Sequence, residues 1–139
     1  AGGGTAVEKY RRTIIEQFYP PRGFGKLKLA EARKAIRDYR RATGNLAGTI
    51  ELMLTYVETG TQFTRDFGDI NEAYYNSLES VLREMTQLLR KEELALYPQF
   101  RERILQLEAH ADYIGWGYGD ALREYVRMLE AGVSGKRGR

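Results

Sequence analysis

Four oxygen-bearing side chains crowd the segment TRDFGDINEAYYNS: Asp66, Asp69, Asn71 and Glu72. Clusters of this kind are what a hard cation such as Mg²⁺ or Ca²⁺ requires. The spacing departs from an EF-hand loop, which alternates its ligands around a central glycine and closes with a bidentate glutamate. Asp69 followed three residues later by Glu72 is also the pattern of a capping box, in which both carboxylates accept backbone N–H bonds at a helix start. Farther along, Glu72, Asn76 and Glu79 fall at i, i+4 and i+7 on one face, and Glu79 with Arg83 makes an ordinary i, i+4 pair. A Mg²⁺-dependent enzyme acting on a nucleotide would set Asp69, Glu72 and Glu79 against Glu108 or Asp112 of a facing helix, which makes these five the metal candidates. A di-iron centre needs Glu-x-x-His motifs, and the single histidine, His110, has Leu107 three residues before it. The chain has no cysteine, hence no thiolate nucleophile, disulfide or zinc-finger site, and no serine beside His110 stands in a nucleophile motif. No catalytic residue and no cofactor is assigned.

Cationic chemistry gathers elsewhere. The segment YPPRGFGKLK, residues 19–28, combines glycines, Arg22, Lys26 and Lys28 ahead of a helix, without the Gly-Lys-Ser/Thr ending of a phosphate-binding Walker loop. The helix that follows carries Arg33, Arg37, Arg40 and Arg41 on one face. Arg22, Lys26, Arg33, Arg37, Arg40 and Arg41 are therefore the candidate contact for an acidic protein or a nucleic acid, and the same residues also read as a solvated helix face. Net charge is +3, but residues 1–45 hold 11 basic against 4 acidic residues, residues 46–130 hold 8 against 15, and residues 131–139 hold three basic and none acidic. Such a layout serves an anionic partner, neutralises itself within one chain, or drives self-association between chains. Tyr113, Trp116 and Tyr118 form the densest aromatic group and read as a lid on one end of the fold.

The elements that must position these residues are helical, because apolar positions recur at 3.6-residue spacing and period-2 runs are missing. Helices are predicted over 5–18, ending before Pro20-Pro21, over 27–42 with Gly44 as its terminator, and from an Asn45 cap to Phe67. A fourth begins at Asp69, and its wide stripe of Leu78, Val81, Leu82, Met85, Leu88 and Leu89 suggests the central position. A fifth starts at Tyr97-Pro98, buries Ile104 and Leu107, and stops at Gly115, Gly117 and Gly119; a sixth runs from an Asp120 cap to just before Gly132. The expected fold is all-α, about six antiparallel helices in a bundle or a short superhelical stack of helical hairpins. Residues 5–131 form one domain, between a flexible remnant at 1–4 and a flexible basic tail at 132–139. No stretch is long and apolar enough for a membrane span, and the cysteine-free composition points to a reducing, cytoplasmic setting.

At FYPPRGFGKLKLAEARKAI (18–36), LMLTYVETGTQFT (52–64), GDINEAYYNSLES (68–80) and GWGYGDAL (115–122), the chain resembles a family of small bacterial proteins of unknown function, over about residues 7–130. The resemblance implies a bacterial, intracellular, helical protein and brings no activity or site residues with it. It also implies a short additional helical segment ahead of this chain, missing or diverged here.

Overall fold

A computed structural model describes residues 2–19, 29–67, 72–91, 93–109 and 117–137. These form α1 (Gly2–Phe18), α2 (Leu29–Thr43), α3 (Leu46–Phe67), α4 (Glu72–Lys91), a 3-10 turn at Leu94–Leu96, α5 (Tyr97–Ala109) and α6 (Gly117–Arg137), with no strand among the described residues. The all-α expectation holds, and no helix among them is long and apolar enough to cross a membrane.

The centre of the fold is α3 rather than α4. Ile50, Leu52, Met53, Leu54, Tyr56 and Val57 are all buried, so a continuous stretch of this helix is enclosed on every side instead of along one stripe. It packs against α1, α2, α4 and α5. Four buried threonines ride with these residues, and each hydroxyl bonds the carbonyl four residues back: Thr49 to Asn45, Thr55 to Glu51, Thr61 to Val57 and Thr64 to Gly60. That local bonding keeps the hydroxyls satisfied inside the core, and the helix runs unbroken through Thr59-Gly60-Thr61.

The turn between α2 and α3 is specified by its residues. Gly44 takes φ +64 and its N–H bonds the Arg40 carbonyl at 2.9 Å, a left-handed helix end that suits glycine. Asn45 then accepts the Gly48 N–H on Oδ1 at 3.1 Å, the N-cap read from the sequence. A two-residue link folds α3 back along α2, where Ala32, Ala35, Ile36 and Tyr39 are buried. Contacts of α1 climb α3 in register: Arg11 meets Thr55, Phe18 packs edge-on to Tyr56, and Tyr19 reaches Phe63 and Asp66. Thus α1 and α3 run the same way, as next-but-one members of an up-and-down series do.

On α4, Leu78, Val81, Leu82, Met85, Leu88 and Leu89 are buried, and on α5 so are Tyr97, Phe100, Ile104 and Leu107. Pro98 sits in the first turn of α5, where its missing N–H leaves no helical bond unmade. Two boundaries differ from expectation at α6. The helix starts at Gly117, so Gly117 and Gly119 lie inside it and the exposed Asp120 side chain pairs with Arg123 at 2.8 Å. It also continues through Gly132 to Arg137, and a Cβ on Gly132 would lie 3.2 Å from Leu94 Cδ2. At the other end α1 begins at Gly2, three residues before the expected start.

Packing is tightest where α2 crosses α3. A Cβ on Gly48 would fall 2.1 Å from Tyr39 Oη and 2.6 Å from Cε1 and Cζ, while that buried hydroxyl finds no hydrogen-bond partner among the described residues. Gly48→Ala should therefore lower stability by about 1–3 kcal/mol in denaturant titration through overpacking. Tyr39→Phe, which removes an unpaired polar atom, should leave stability unchanged or slightly raised, and should rescue Gly48→Ala only in part because the ring carbons still collide.

Candidate functional site

Positions 33, 37, 40 and 41 of α2 share a face because they recur at i, i+4, i+7 and i+8. Arg37, Arg40 and Arg41 are exposed. Arg33 is turned sideways: its Nη2 donates to Ser80 Oγ at 3.2 Å and to Glu84 Oε1 at 3.1 Å, which ties α2 to α4. Lys34 donates to Asp38 at 2.8 Å, and that bond, reinforced by the fields of Lys34, Arg41 and Arg37, holds the Asp38 carboxyl below its ordinary pKa against the smaller pull of desolvation. Arg40 and Arg41 also stand in the last turn of α2, where a cation favours the helix dipole. Arg22 and Lys26 lie outside the described residues.

Of the five metal candidates, Glu79 is the one whose side chain is described. Asp69 and Asp112 lie outside the described residues, as do the side chains of Glu72 and Glu108; the Asp69/Glu72 capping box falls there too. Glu79 accepts a 2.6 Å bond from Arg83, the i, i+4 pair open to it from the sequence. Among the described residues no three histidine, aspartate or glutamate side chains are grouped as an ion would need. His110, Tyr113 and Trp116, with the Tyr118 side chain, are likewise outside.

The strongest polar arrangement is one that local pattern does not mark. Arg103 of α5 reaches across to α3, where Nη2 and Nε bind Glu58 at 2.7 and 3.1 Å and Nη1 binds Glu51 at 2.6 Å. Burial works to lower the Arg103 pKa, but the bonds to Glu58 and Glu51 outweigh it and raise the guanidinium above its ordinary value. From α1, Arg11 adds a longer contact, Nε lying 3.3 Å from Thr55 Oγ1 and 3.8 Å from Glu51. Arg103, Glu51 and Arg11 edge a cleft of about 640 Å³ between α1, α3 and α5, with Val7, Gly48 and Phe100 among its apolar lining. Its guanidiniums and carboxylates are directed at one another, so the arrangement braces α5 against α3. Glu51 and Glu58 at i, i+7 are a visible signal of one shared face, but nothing in the sequence joins them to Arg103.

Asp66, which the sequence places in the acidic cluster, is drawn the other way. Tyr19 donates to its Oδ2 at 2.6 Å and Gln62 to its Oδ1 at 2.8 Å, and these two bonds, Tyr19 first, hold its carboxyl below the ordinary range. Burial and then the Asp66 carboxylate push the Tyr19 hydroxyl above its ordinary value. The clasp joins the ends of α1 and α3. Compared with family models, with curated proteins and with solved structures, the chain matches none.

Arg103→Met leaves Glu51 and Glu58 without their shared cation and should cost about 1–3 kcal/mol in equilibrium unfolding. Arg103→Lys should restore less than half of that, since one ammonium cannot hold both carboxylates in the guanidinium's fork. For the clasp the signs are opposite at the two ends of the pH scale. The depressed Asp66 pKa gives stabilisation present above the ordinary aspartate value of about 4 and lost as pH falls through its folded value. The raised Tyr19 pKa makes stability fall as pH climbs past the ordinary tyrosine value of about 10. Tyr19→Phe should flatten both limbs of a stability–pH curve, and parallel curves for wild type and variant would refute the assignment.

Proposed function

We propose that this chain is a non-enzymatic binding module that takes an anionic macromolecule, an acidic protein or a nucleic acid, on the exposed arginine face of α2. One observation carries the reading. Of the cations in the basic N-terminal segment, Arg11, Arg33 and Lys34 are engaged by Glu51, Glu84 and Asp38, yet Arg37 and Arg41 make no ion pair among the described residues. Among the described residues, no acidic side chain neutralises Arg37 or Arg41 by direct contact. The opposite face of the same helix, through Ala32, Ala35, Ile36 and Tyr39, is fixed in the core, so the guanidiniums are presented from a rigid support.

The test is titration of labelled duplex DNA and of poly-glutamate at increasing salt, read by fluorescence anisotropy. Binding to a polyanion should weaken steeply with salt, and for the duplex the slope of log K against log salt should become shallower by about 0.9 for each arginine removed. The double variant Arg37→Gln, Arg41→Gln should show that change with unchanged melting, since glutamine keeps comparable helix propensity. Absence of binding to either polyanion at low salt, or a slope indifferent to both substitutions, would sink the proposal.

A further inference from the structure

We infer that the cleft between α1, α3 and α5 is a second binding site, separate from the α2 arginines, and that it takes a free α-amino acid with an uncharged side chain, the ligand's carboxylate on Arg11 and its ammonium on Glu8. No residue lining the cleft belongs to α2. The inference therefore stands apart from the anion-binding reading.

The shape of the cleft follows from its helices. Both α1 and α5 pack on α3, and where the three meet α3 supplies Ala47 and Gly48, which fill little of the space. The resulting volume of about 640 Å³ is in the range that small ligands occupy. Val7 and Phe100 give the lining its apolar part, and Asn45 and Gln99 bring amides to it. Asn45 Nδ2 and the Gln99 amide make no hydrogen bond among the described residues.

Charge selects the ligand. Arg11, Arg103, Glu8 and Glu51 line the cleft, so its charges cancel. One pair is spent on the fold: Arg103 bonds Glu51 at 2.6 Å and gives its other nitrogens to Glu58. The other pair is loose. Arg11 Nη1 stands 3.5 Å from Glu8 Oε1, longer than a charge-assisted hydrogen bond, with the two side chains 40% and 63% exposed. Arg11 Nη2 bonds nothing among the described residues. An ion pair so exposed contributes little to stability, so a ligand that engages both partners takes little from the fold. Opposite charges this close, one helical turn apart on α1, match a molecule that carries ammonium and carboxylate on a single carbon. A phosphate or a dicarboxylate would meet Glu8 and Glu51 as well as the guanidiniums, and the termini of a peptide stand farther apart than these two side chains.

The experiment is calorimetric titration of the full chain with leucine and glutamine, beside isocaproate, which lacks the ammonium, isoamylamine, which lacks the carboxylate, and leucyl-leucine. At least one of the two amino acids should bind saturably at concentrations up to about 10 mM. Isocaproate and isoamylamine should each bind roughly tenfold more weakly than leucine, for the loss of one charged hydrogen bond. Arg11→Gln and Glu8→Gln should each weaken the amino acid by a similar factor with melting unchanged, and Ala47→Leu, which fills the floor and leaves both charges in place, should remove binding. Should a variant melt lower, the comparison of leucine with its two analogues on wild type tests the same pairing without substitution. No heat with either amino acid overturns the inference. So does isocaproate or isoamylamine binding as tightly as leucine, leucyl-leucine binding more tightly, or affinity indifferent to both charge variants.

Discussion

A helix enclosed on all sides sets the terms for the rest of this fold. Along α3, from Gly48 to Val57, residue after residue is buried, with Glu51 the half-exposed exception. A segment in that position cannot rely on an apolar stripe alone, because its polar side chains must find partners without water. It carries threonines whose hydroxyls bond back to their own helix, and a glycine where Tyr39 comes closest. Those devices let α1, α2, α4 and α5 approach from different directions and share one core. The remaining helices then need to be apolar on one side only, as α2, α4 and α5 are.

Burial explains attachment but not orientation, since apolar contact is non-directional. The polar ties supply direction. Arg103 grips two carboxylates two turns apart on one face of α3, Arg33 spans a hydroxyl and a carboxylate of α4, and Tyr19 fastens the end of α1 to Asp66 near the end of α3. Each joins residues more than forty positions apart; the Arg103 bonds and the Arg33–Ser80 bond are partly buried, while the Arg33–Glu84 and Tyr19–Asp66 bonds are exposed. A guanidinium is suited to two of the three, as its planar fork reaches two acceptors at once.

This division accounts for what the sequence could convey. Positions buried by periodicity, such as Leu78, Val81, Met85, Ile104 and Leu107, are legible because the helical repeat is written locally, and so is the turn at Gly44-Asn45, where two residues determine both helix ends. Gly117, Gly119 and Gly132 mislead for the same local reason: propensity marks them as terminators, while the helix runs through all three, Gly132 close against Leu94. The primacy of α3 was hidden because all-round burial erases the stripe that periodicity looks for. Arg103 was hidden because its partners lie on another helix, and Asp66 drew attention toward a cluster when its bond runs to Tyr19. The α2 arginines were legible as a face, but not that Arg33 would be withdrawn from it to join α4.

That withdrawal bears on function. Partly buried pairs such as Arg103 with Glu51 and Glu58 leave an unmatched charge when broken, so they are committed to the fold. Fully exposed pairs contribute little to stability, so nothing in the energetics of folding requires Arg37 or Arg41 to find an intramolecular partner. Cations kept unpaired on a rigid face instead add to the local potential, and a carboxylate close by would cancel it. Asp38, the acid nearest to them along α2, feels the field of both but gives its hydrogen bond to Lys34. The fold therefore separates two populations of arginine, one turned between helices as bracing and one turned to solvent.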